Sequence, residues 1–439
     1  MAASYKKLFK LLIDREMKIK DLATQAGISQ ATLAKMKKDG ASVSIDVLVK
    51  ICIALNCTMD DIVEIVFPTE AYTSIIDIIN EKKPIRVFEG FAGYGGGSFA
   101  LKRIKESNPG FDYEVVAYSE IDKYASDLFD ANHRDKKGKL IRNYSDITMI
   151  DPNLPDFPDF DMFTGGFPCQ PFSTAGMQKG VDDPYGRGTL FEHIMRICAV
   201  KKPKYILLEN VKGLLSKKFD DTRRQMSEML REMGYVADKN DLNEEPLAMA
   251  VLNSKDYGIP QNRERVWMFA RLGGLPKGFS MCPPQQKNSL KMADFLDPLE
   301  YVPKHLYLSD KQIEHLKEKH NIPSFMVDTP LCFDVYNKKI KHDGYSITIT
   351  LPEHNSLRVI EAHKDKEVVR KMSVTEQFRL MGLEGLNIEG RKVDIVFDNQ
   401  SYTQLSKRAG NGWDVNLVTI LLKHIFTQLK EIDGDEFLF

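Results

Sequence analysis

From residue 85 to about residue 271, short hydrophobic runs typical of strands alternate with amphipathic runs typical of helices. A basic, proline-containing segment at 82–84 precedes the first strand, which the pattern places at residues 85–88. Because strands that alternate with helices pair in parallel, this order predicts a doubly wound α/β sheet with helices on both faces. A long amphipathic helix predicted at residues 414–429 is suited to return to that sheet.

The composition is that of a folded chain without a membrane segment. Of the 439 residues, 43% are hydrophobic, and no apolar run approaches the roughly 20 residues that a membrane helix needs. The first residues alternate basic and apolar side chains, unlike a secretory signal, so we expect a cytoplasmic protein.

The six cysteines are scattered without a C-x-x-C pair, which argues against disulfides and a cysteine zinc site, and no metal is predicted. With a net charge of −1, a nucleic-acid surface has to be a local basic patch.

The pattern divides the chain into five parts. We expect a helical N-terminal domain at residues 1–66, a linker at residues 67–84, and the alternating α/β domain at residues 85–271. Residues 272–370, with paired prolines and short β-like runs, are expected to form a smaller second domain. Residues 371–439 return to the α/β domain with a closing C-terminal helix.

The N-terminal domain consists of short helix patterns separated by cap and turn residues. One helix pattern closes at Gly27, and the next begins after Ser29. This order resembles the Cro/repressor-like family of helix-turn-helix domains over residues 5–66. The resemblance implies an all-α DNA-binding domain that faces DNA with Ser29, Gln30, Thr32 and Lys35. A small helical dimerisation or docking module is the alternative interpretation.

A glycine-rich turn follows the first predicted strand, in the segment FEGFAGYGGGSFAL at residues 88–101. Glycines at a strand-to-helix turn leave backbone N–H groups free to meet a polar cofactor, as in nucleotide, flavin and S-adenosylmethionine sites. Two acids at later strand ends narrow the choice. Glu120 is placed to hold a ribose diol, and Asp146 to accept a hydrogen bond from an adenine amine. Exposed acids that merely follow strands are the alternative for either residue.

A second group of reactive side chains follows later strands. Cys169 comes directly after Gly-Gly-Phe-Pro, where a thiol at a strand end is typical of a nucleophile; a small side chain packed under a turn is the alternative. Glu209 follows the strand predicted at residues 205–208, and Arg263 and Arg265 precede another strand. Because residues two apart in an extended chain point to one face, we expect both guanidinium groups on the same side.

Eight segments in a fixed order resemble the C5-cytosine DNA methyltransferase family over residues 85–430. They are FAGYGGG, the acids Glu120 and Asp146, GGFPCQPFS, GRGTLF, ENV, QNRER, SVTEQFRLMG and LSKRAGN. The resemblance implies the S-adenosylmethionine-dependent methyltransferase fold with a smaller target-recognition domain, S-adenosyl-L-methionine as cofactor and S-adenosyl-L-homocysteine as product. It also implies the cofactor contacts Phe91, Ala92, Gly93, Gly95, Gly96, Glu120, Ile121, Asp146, Ile147, Leu190 and Asn411.

The chain departs from the family pattern at two places near the expected cofactor pocket. Gly90 stands where a bulky apolar residue is usual, and residues 412–414, Gly-Trp-Asp, replace a run of small apolar residues. Both departures concern the outer wall of the pocket rather than the reacting groups.

The resemblance assigns a covalent mechanism to the second group. Cys169 adds to C6 of cytosine and makes C5 reactive, and the cation of Arg265 favours its thiolate. Glu209 hydrogen-bonds N3 and N4 as a neutral or proton-sharing acid, with a pKa expected to be raised by burial. Arg263 stabilises the adduct, and Asn210 and Pro168 shape the pocket. A base that the sequence does not identify, or water, then removes the C5 proton.

The expected contacts with target DNA lie in two segments. Because the target base lies inside the duplex, it has to be flipped out, and the loop 170–188 is interpreted as a lid that closes on DNA. The lid contributes Gln170, Ser173 and Gly188. In the target-recognition domain, the run SITITLPEHNSLRV resembles the family's Thr-Leu element and makes Thr348, Thr350 and Arg358 candidates.

The predicted function is methylation of C5 of cytosine in a short duplex DNA sequence by a prokaryotic or phage enzyme. The N-terminal domain then regulates its own or a neighbouring promoter, with dimerisation on the operator left open, in a restriction–modification system with a cognate endonuclease. A repressor with an inactive methyltransferase body and a tRNA methyltransferase on the same fold are the alternatives. The intact Cys169, Glu209, Arg263 and Arg265 argue against the first. The lack of a Cys-Phe-Thr segment argues against the second.

Overall fold

The computed structural model describes residues 2–38, 41–66, 83–168, 190–236, 246–286, 289–364, 366–383, 387–388, 391–392 and 395–433. The chain divides into two compact units, Met1–Lys82 and Lys83–Phe439. Within those described ranges, no helix is both long enough and apolar enough to cross a membrane.

Among its described residues, the first unit contains four short α-helices: α1 (Lys6–Asp14), α2 (Ile19–Ala26), α3 (Gln30–Lys35) and α4 (Ile45–Leu55). The turn from α2 to α3 passes through Gly27, whose φ of 63° suits glycine, and Ser29 caps α3 by accepting a hydrogen bond from the Thr32 N–H. The helices pack around Leu8, Leu22, Leu33, Ile51 and Leu55. The predicted helical domain is confirmed, with one addition: the strands β1 (Ala2–Ser4) and β2 (Glu64–Val66) pair antiparallel.

The second unit is built on a six-stranded sheet in the order β4-β3-β5-β6-β9-β7. Its strands are β3 (Ile85–Gly90), β4 (Tyr113–Ser119), β5 (Met162–Gly166), β6 (Tyr205–Val211), β7 (Ala248–Asn253) and β9 (Glu264–Arg271), and the short β8 (Gln261–Asn262) lies outside the sheet. Strands β3 to β6 are parallel, as predicted, but β9 is antiparallel to both β6 and β7.

The prediction of a wholly parallel sheet is therefore wrong at this edge, although the doubly wound fold is confirmed. Between β7 and β9 the chain has only residues 254–263. A parallel crossover needs about a dozen residues or more, so a connection this short leaves the two strands to pair antiparallel.

Helices cover both faces of the sheet. On one face, α5 (Gly96–Ser107) and the C-terminal helix Val415–Asp433 pack over alternate strand residues that include Val87, Met162 and Leu207. On the other face, α7 (Leu190–Lys201) and α8 (Asp220–Glu232) pack over their sequence neighbours, which include Phe88, Phe163 and Leu208. Helix α6 (Lys123–Asn132) follows β4. Because helices cover both faces of the sheet, ligands can reach the ends of the strands but not their faces.

The residues after β9 form a smaller antiparallel layer in the order β11-β10-β13-β14. Its strands are β10 (Leu331–Asp334), β11 (Lys339–Lys341), β13 (Leu357–His363) and β14 (Lys366–Arg370), and helix α9 (Asp310–His320) packs Ile313 against it. The strand β12 (Ser346–Ile347) lies outside this layer and pairs in parallel with β8. The described residues after β14 also form α10 (Val374–Arg379), β15 (Asn387–Ile388), β16 (Arg391–Lys392) and α11 (Tyr402–Asn411), and the C-terminal helix Val415–Asp433 is α12.

Candidate active site

The turn after β3 depends on glycine. Phe91, Gly93 and Gly95 all have a positive φ, of 53°, 59° and 84°. A Cβ atom at Gly95 would lie 2.3 Å from Nε2 of His133, a buried side chain that donates to the Tyr94 carbonyl at 3.0 Å. Because His133 is held in place, a side chain at position 95 has no room, and the predicted turn requires glycine there.

Glu89, near the end of β3, holds the start of α5. Its carboxylate accepts hydrogen bonds from the N–H groups of Gly97 at 2.9 Å and Ser98 at 3.1 Å, and from the Ser98 hydroxyl. Burial raises the pKa of Glu89 to about 7, although these hydrogen bonds act in the opposite direction. Glu89 was not among the residues predicted from the sequence, although an acid inside a buried strand directly before a glycine-rich turn was an available signal.

The glycine turn and Glu120 are directly linked. Glu120 accepts the Gly93 N–H at 2.9 Å on one carboxylate oxygen and the Asp122 N–H at 2.8 Å on the other. The side-chain oxygen of Asn143 accepts the N–H groups of Glu120 at 3.1 Å and Ser145 at 2.8 Å, and its amide donates to the Glu120 carbonyl at 3.0 Å. The turns that carry Glu120 and Asp146 are thus one hydrogen-bonded unit, and Asn143 is a second residue that the sequence analysis missed.

The other predicted cofactor residues differ in exposure. Ile121 is 70% exposed, and Asp146 uses Oδ1 to accept the N–H of Thr148 at 2.9 Å and its hydroxyl at 2.8 Å. Asn411 is exposed, Phe91 and Leu190 are half-buried, and Ala92, Gly95, Gly96 and Ile147 are buried. Ile121 therefore presents an exposed apolar side chain directly after Glu120.

The first departure from the family pattern, Gly90, has a packing explanation. A Cβ atom at Gly90 would lie 2.7 Å from Cζ of Phe163 and 3.5 Å from Cδ1 of Ile147. The Phe163 ring, from the neighbouring strand β5, therefore takes the space that a bulky side chain at position 90 would need.

Glu209 lies near the carboxyl end of β6, beside Gly166 of β5 and opposite Trp267 of β9. Nε of Arg265 contacts Oε1 of Glu209 at 3.0 Å, and the indole N–H of Trp413 donates to Oε2 at 3.2 Å. The side chains of Glu209 and Arg265 are only 12% and 19% exposed. Burial raises the pKa of Glu209, with the Arg265 cation as the strongest opposing influence. The site therefore favours a proton on this carboxyl group relative to a carboxyl group in water.

Arg263 is buried and directed at backbone carbonyl groups. Its guanidinium donates to the carbonyls of Ile349 at 3.0 Å, Gly410 at 3.2 Å and Gly412 at 2.8 Å. Burial lowers the pKa of Arg263 to about 9, with the neighbouring Arg265 acting in the same direction. Arg263 therefore ties the start of β9 to two distant segments, while its predicted contact with a reaction adduct stays a prediction.

Asn210 holds the chain that leads to the predicted nucleophile. Its amide donates to the Phe167 carbonyl at 3.0 Å, and its oxygen accepts the Val211 N–H at 2.8 Å. Pro168, the next residue along the chain, is exposed. The predicted residues Cys169, Gln170, Ser173 and Gly188 lie outside the described residues.

A family model described as C-5 cytosine-specific DNA methylase matches residues 85–427. The chain belongs to this family. A second model, a Cro/C1-type HTH DNA-binding domain, matches residues 7–68. The family, the enzyme class DNA (cytosine-5-)-methyltransferase and the presence of a helix-turn-helix domain are thereby confirmed.

Relatives of this methylase cover most of its length. It is 31% identical over 351 residues to the Type II methyltransferase M.HaeII of Haemophilus aegyptius, a match that covers 79% of this chain and 95% of the relative. It is 30% identical over 392 residues to the Type II methyltransferase M2.ScrFI of Lactococcus lactis subsp. cremoris, with coverage of 78% and 99%. Its fold is similar to the crystal structure of the S. pombe Dnmt2 methyltransferase, with a TM-score of 0.55, 21% identity and coverage of 79% and 99%.

The predicted target-DNA residues of the methylase are partly engaged with its own backbone. The Thr348 hydroxyl donates to the Asn262 carbonyl at 2.6 Å, and Arg358 donates to the carbonyls of Asn355 at 3.1 Å and Leu357 at 2.7 Å. Thr350 is half-buried. Thr348 thus contacts Asn262, the residue directly before Arg263. This contact brings the predicted recognition segment to the edge of the candidate site.

In the helix-turn-helix unit, two of the four predicted DNA contacts are free to reach outward. Gln30 and Lys35 are exposed on α3. The hydroxyls of Ser29 and Thr32 lie 2.8 Å apart and share a hydrogen bond, and Ser29 also caps the helix. The structure therefore assigns Ser29 and Thr32 a helix-capping contact, and their contact with DNA stays a prediction.

Proposed function

We propose that this methylase transfers a methyl group from S-adenosyl-L-methionine to C5 of cytosine in a specific short duplex DNA sequence. The observation that carries the proposal is the buried Glu209, held by Arg265 and Trp413 beside Gly166, three residues before Cys169. A buried acid next to a chain segment that delivers a thiol matches the two groups that activation of a cytosine ring needs.

The proton of Glu209 and the thiolate of Cys169 act together in this proposal. Glu209 donates its proton toward N3 of cytosine and accepts from the N4 amine, while Cys169 adds to C6. Electrons then flow to C5, which takes the methyl group; a base removes the C5 proton and the C6–S bond breaks to release the thiolate. Pro168 and Asn210 position the cysteine, and Arg263 and Arg265 supply positive charge.

The turn after β3 fits the methyl donor. Both oxygens of Glu120 accept backbone N–H groups and keep lone pairs for a ribose diol, and the contacts described for Asp146 use Oδ1 alone. When bound, S-adenosyl-L-methionine supplies the methyl group and leaves as S-adenosyl-L-homocysteine. The residues proposed to complete its pocket are Phe91, Ala92, Gly93, Gly95, Gly96, Ile121, Ile147, Leu190 and Asn411.

DNA is proposed to engage the chain through two regions. At the target site the cytosine is flipped out of the duplex, with contacts from the segment 170–188, including Gln170, Ser173 and Gly188, and from Thr348, Thr350 and Arg358 in residues 272–370. The helix-turn-helix domain binds an operator and regulates transcription in a restriction–modification or phage system in the cytoplasm. A cognate restriction endonuclease is the proposed functional partner of the methylase in that system.

The methylation proposal is tested with the full-length protein, labelled S-adenosyl-L-methionine, and either duplex DNA or tRNA. We expect label in duplex DNA alone, and bisulfite sequencing is expected to place it at cytosines within one short sequence. Label confined to tRNA, or no label, contradicts the proposal.

The role of Cys169 is tested by Cys169→Ser, for which we expect a loss of at least about a thousandfold in rate because the nucleophile is removed. Cys282→Ser is the matched control, since Cys282 is an exposed free cysteine away from the proposed machinery. Equal rates for the two variants contradict the assignment.

The operator proposal is tested in the full chain with Gln30→Ala combined with Lys35→Ala. Both side chains are exposed, so we expect promoter binding in a gel-shift assay to fall by about tenfold or more while methylation is unchanged. Lys50→Ala, an exposed change on α4, is the control. Promoter binding that survives the double change contradicts the use of α3 as the recognition helix.

A further inference from the structure

Trp413 is one of only two tryptophans in the chain, and it stands where the family pattern has small apolar residues. It is 8% exposed, and its ring packs edge to face on Trp267, with the centroids 4.9 Å apart. Its backbone carbonyl accepts the Tyr94 hydroxyl. Ring and backbone are therefore both fixed.

Two glycines make room for Trp413. A Cβ atom at Gly96, at the start of α5, would lie 2.9 Å from Cβ of Trp413. A Cβ atom at Gly166 would lie 2.7 Å from the indole nitrogen and 2.8 Å from Oε2 of Glu209. The indole thus fills the space between the cofactor turn and the Glu209 carboxyl group. Because Gly166 has no side chain, the indole N–H and the carboxyl group can meet.

We propose that Trp413 is a positioning residue for Glu209, whose carboxyl plane it fixes through a hydrogen bond from the indole N–H to Oε2. Arg265 holds the other oxygen at 3.0 Å, so the carboxyl group is anchored at two points and cannot rotate without breaking one contact. The kinetic consequence of this contact rests on the proposed function; the contact itself does not.

The indole N–H also influences the proton of Glu209. Two charged groups, Arg265 and Arg263, act on Glu209 as well, and the pKa of Arg263 is in turn influenced by Tyr94 and Asp414. An N–H donor favours the charged carboxylate, and Trp413 does so without adding a charge. Loss of the indole N–H therefore raises the pKa of Glu209.

The kinetic test is Trp413→Phe, which keeps an aromatic ring and removes the donor. If Glu209 works with its proton on, the rate falls as pH rises through its pKa. We therefore expect the alkaline limb of the kcat profile to move up by about half to one pH unit, with kcat about tenfold lower. Trp267→Phe is the matched control, which changes packing on the same ring and is expected to leave the alkaline limb in place. A uniform loss of rate with an unmoved limb in Trp413→Phe overturns the proposal.

A fluorescence titration tests the contact without any methylation assay. In Trp267→Phe, all tryptophan emission comes from Trp413, and we expect it to change as Glu209 gains or loses its proton. Adding Glu209→Gln is expected to abolish this transition. Emission that titrates equally with and without Glu209, or that does not titrate, refutes the contact. If the transition depends on Glu209 while no DNA is methylated, the proposed function fails and the positioning contact stands.

Discussion

The cofactor half and the base half of the candidate site are assembled in different ways. The cofactor half consists of Glu89, Glu120, Asn143 and the glycine turn after β3, and the hydrogen bonds of these three polar side chains join residues at most 27 positions apart. The base half consists of Glu209, Arg263, Arg265 and Trp413.

The links of the base half span far more of the chain. Glu209 and Trp413 are 204 residues apart, and Arg263 and Gly412 are 149 residues apart. Side chains that bind backbone groups nearby in the sequence hold the cofactor half, whereas side chains that bridge distant segments hold the base half. Changes in the base half should therefore loosen the whole second unit, and changes in the cofactor half should act mainly on the turn.

The largest effect is expected for Arg263→Leu, which leaves two buried carbonyl groups and one half-buried carbonyl group without their donor. We expect the free energy of unfolding in urea to fall by about 3–5 kcal/mol, together with loss of methylation. Arg86→Leu is the control, because its ion pair with Asp161 at 3.1 Å is 43% exposed on the arginine side and should be worth less than about 1 kcal/mol. Equal destabilisation of the two variants would show that the contacts of Arg263 do not hold the second unit together.

The next effect is a pH dependence that belongs to Glu89. Its pKa is about 7 in the folded protein against an ordinary value of 4.5, so the unfolded chain loses this proton first as pH rises. The contribution of Glu89 to stability is fully present below about pH 4.5 and falls by about 3 kcal/mol as pH passes through about 7.

The measurement is urea unfolding of the wild-type protein and Glu89→Gln over this pH range. The difference between their unfolding free energies isolates Glu89 from other titrating groups. A difference that does not change with pH shows that folding does not raise the pKa of Glu89.

A smaller effect is expected for Gly95→Ala, in which a left-handed backbone and a clash with His133 act together. Gly138→Ala is the matched control, since Gly138 has a φ of 75° and nothing within 4 Å of a Cβ atom. The control is expected to cost about 1–2 kcal/mol from backbone strain alone, and Gly95→Ala about 2 kcal/mol more, with weaker cofactor binding by calorimetry. Equal costs would remove the clash from the explanation.

The smallest effect is expected for Asn143→Ala, which unlinks the turns that carry Glu120 and Asp146. The apparent KM for S-adenosyl-L-methionine should rise about three- to tenfold with little change in kcat, because the contact shapes binding rather than reaction. Asn153→Ala, an exposed change that removes only a 3.0 Å bond to Asp151, is the control. A fall in kcat at unchanged KM would place Asn143 in the base half instead.

The sequence predicted most of what is local. The turn at Gly95 and the cap at Ser29 follow from glycine and a hydroxyl cap, and both are present. The direction of β9 was not predicted, because the alternation of strands and helices does not show in which direction the chain re-enters the sheet after a short connection. Glu89 and Asn143 were also not predicted, since neither the acid before the glycine-rich turn nor the single asparagine reveals its role until its hydrogen-bond partners are known.

By itself, the sequence determined the doubly wound fold, the family, the helix-turn-helix domain and the types of residue at the strand ends, because each rests on short-range patterns or ordered motifs. The tertiary structure alone decided that Trp413 reaches Glu209, that Arg263 binds the carbonyls of Ile349, Gly410 and Gly412, and that Phe163 fills the space beside Gly90. These contacts join residues far apart in the chain, and only the packing of the folded unit brings them within hydrogen-bond or van der Waals distance.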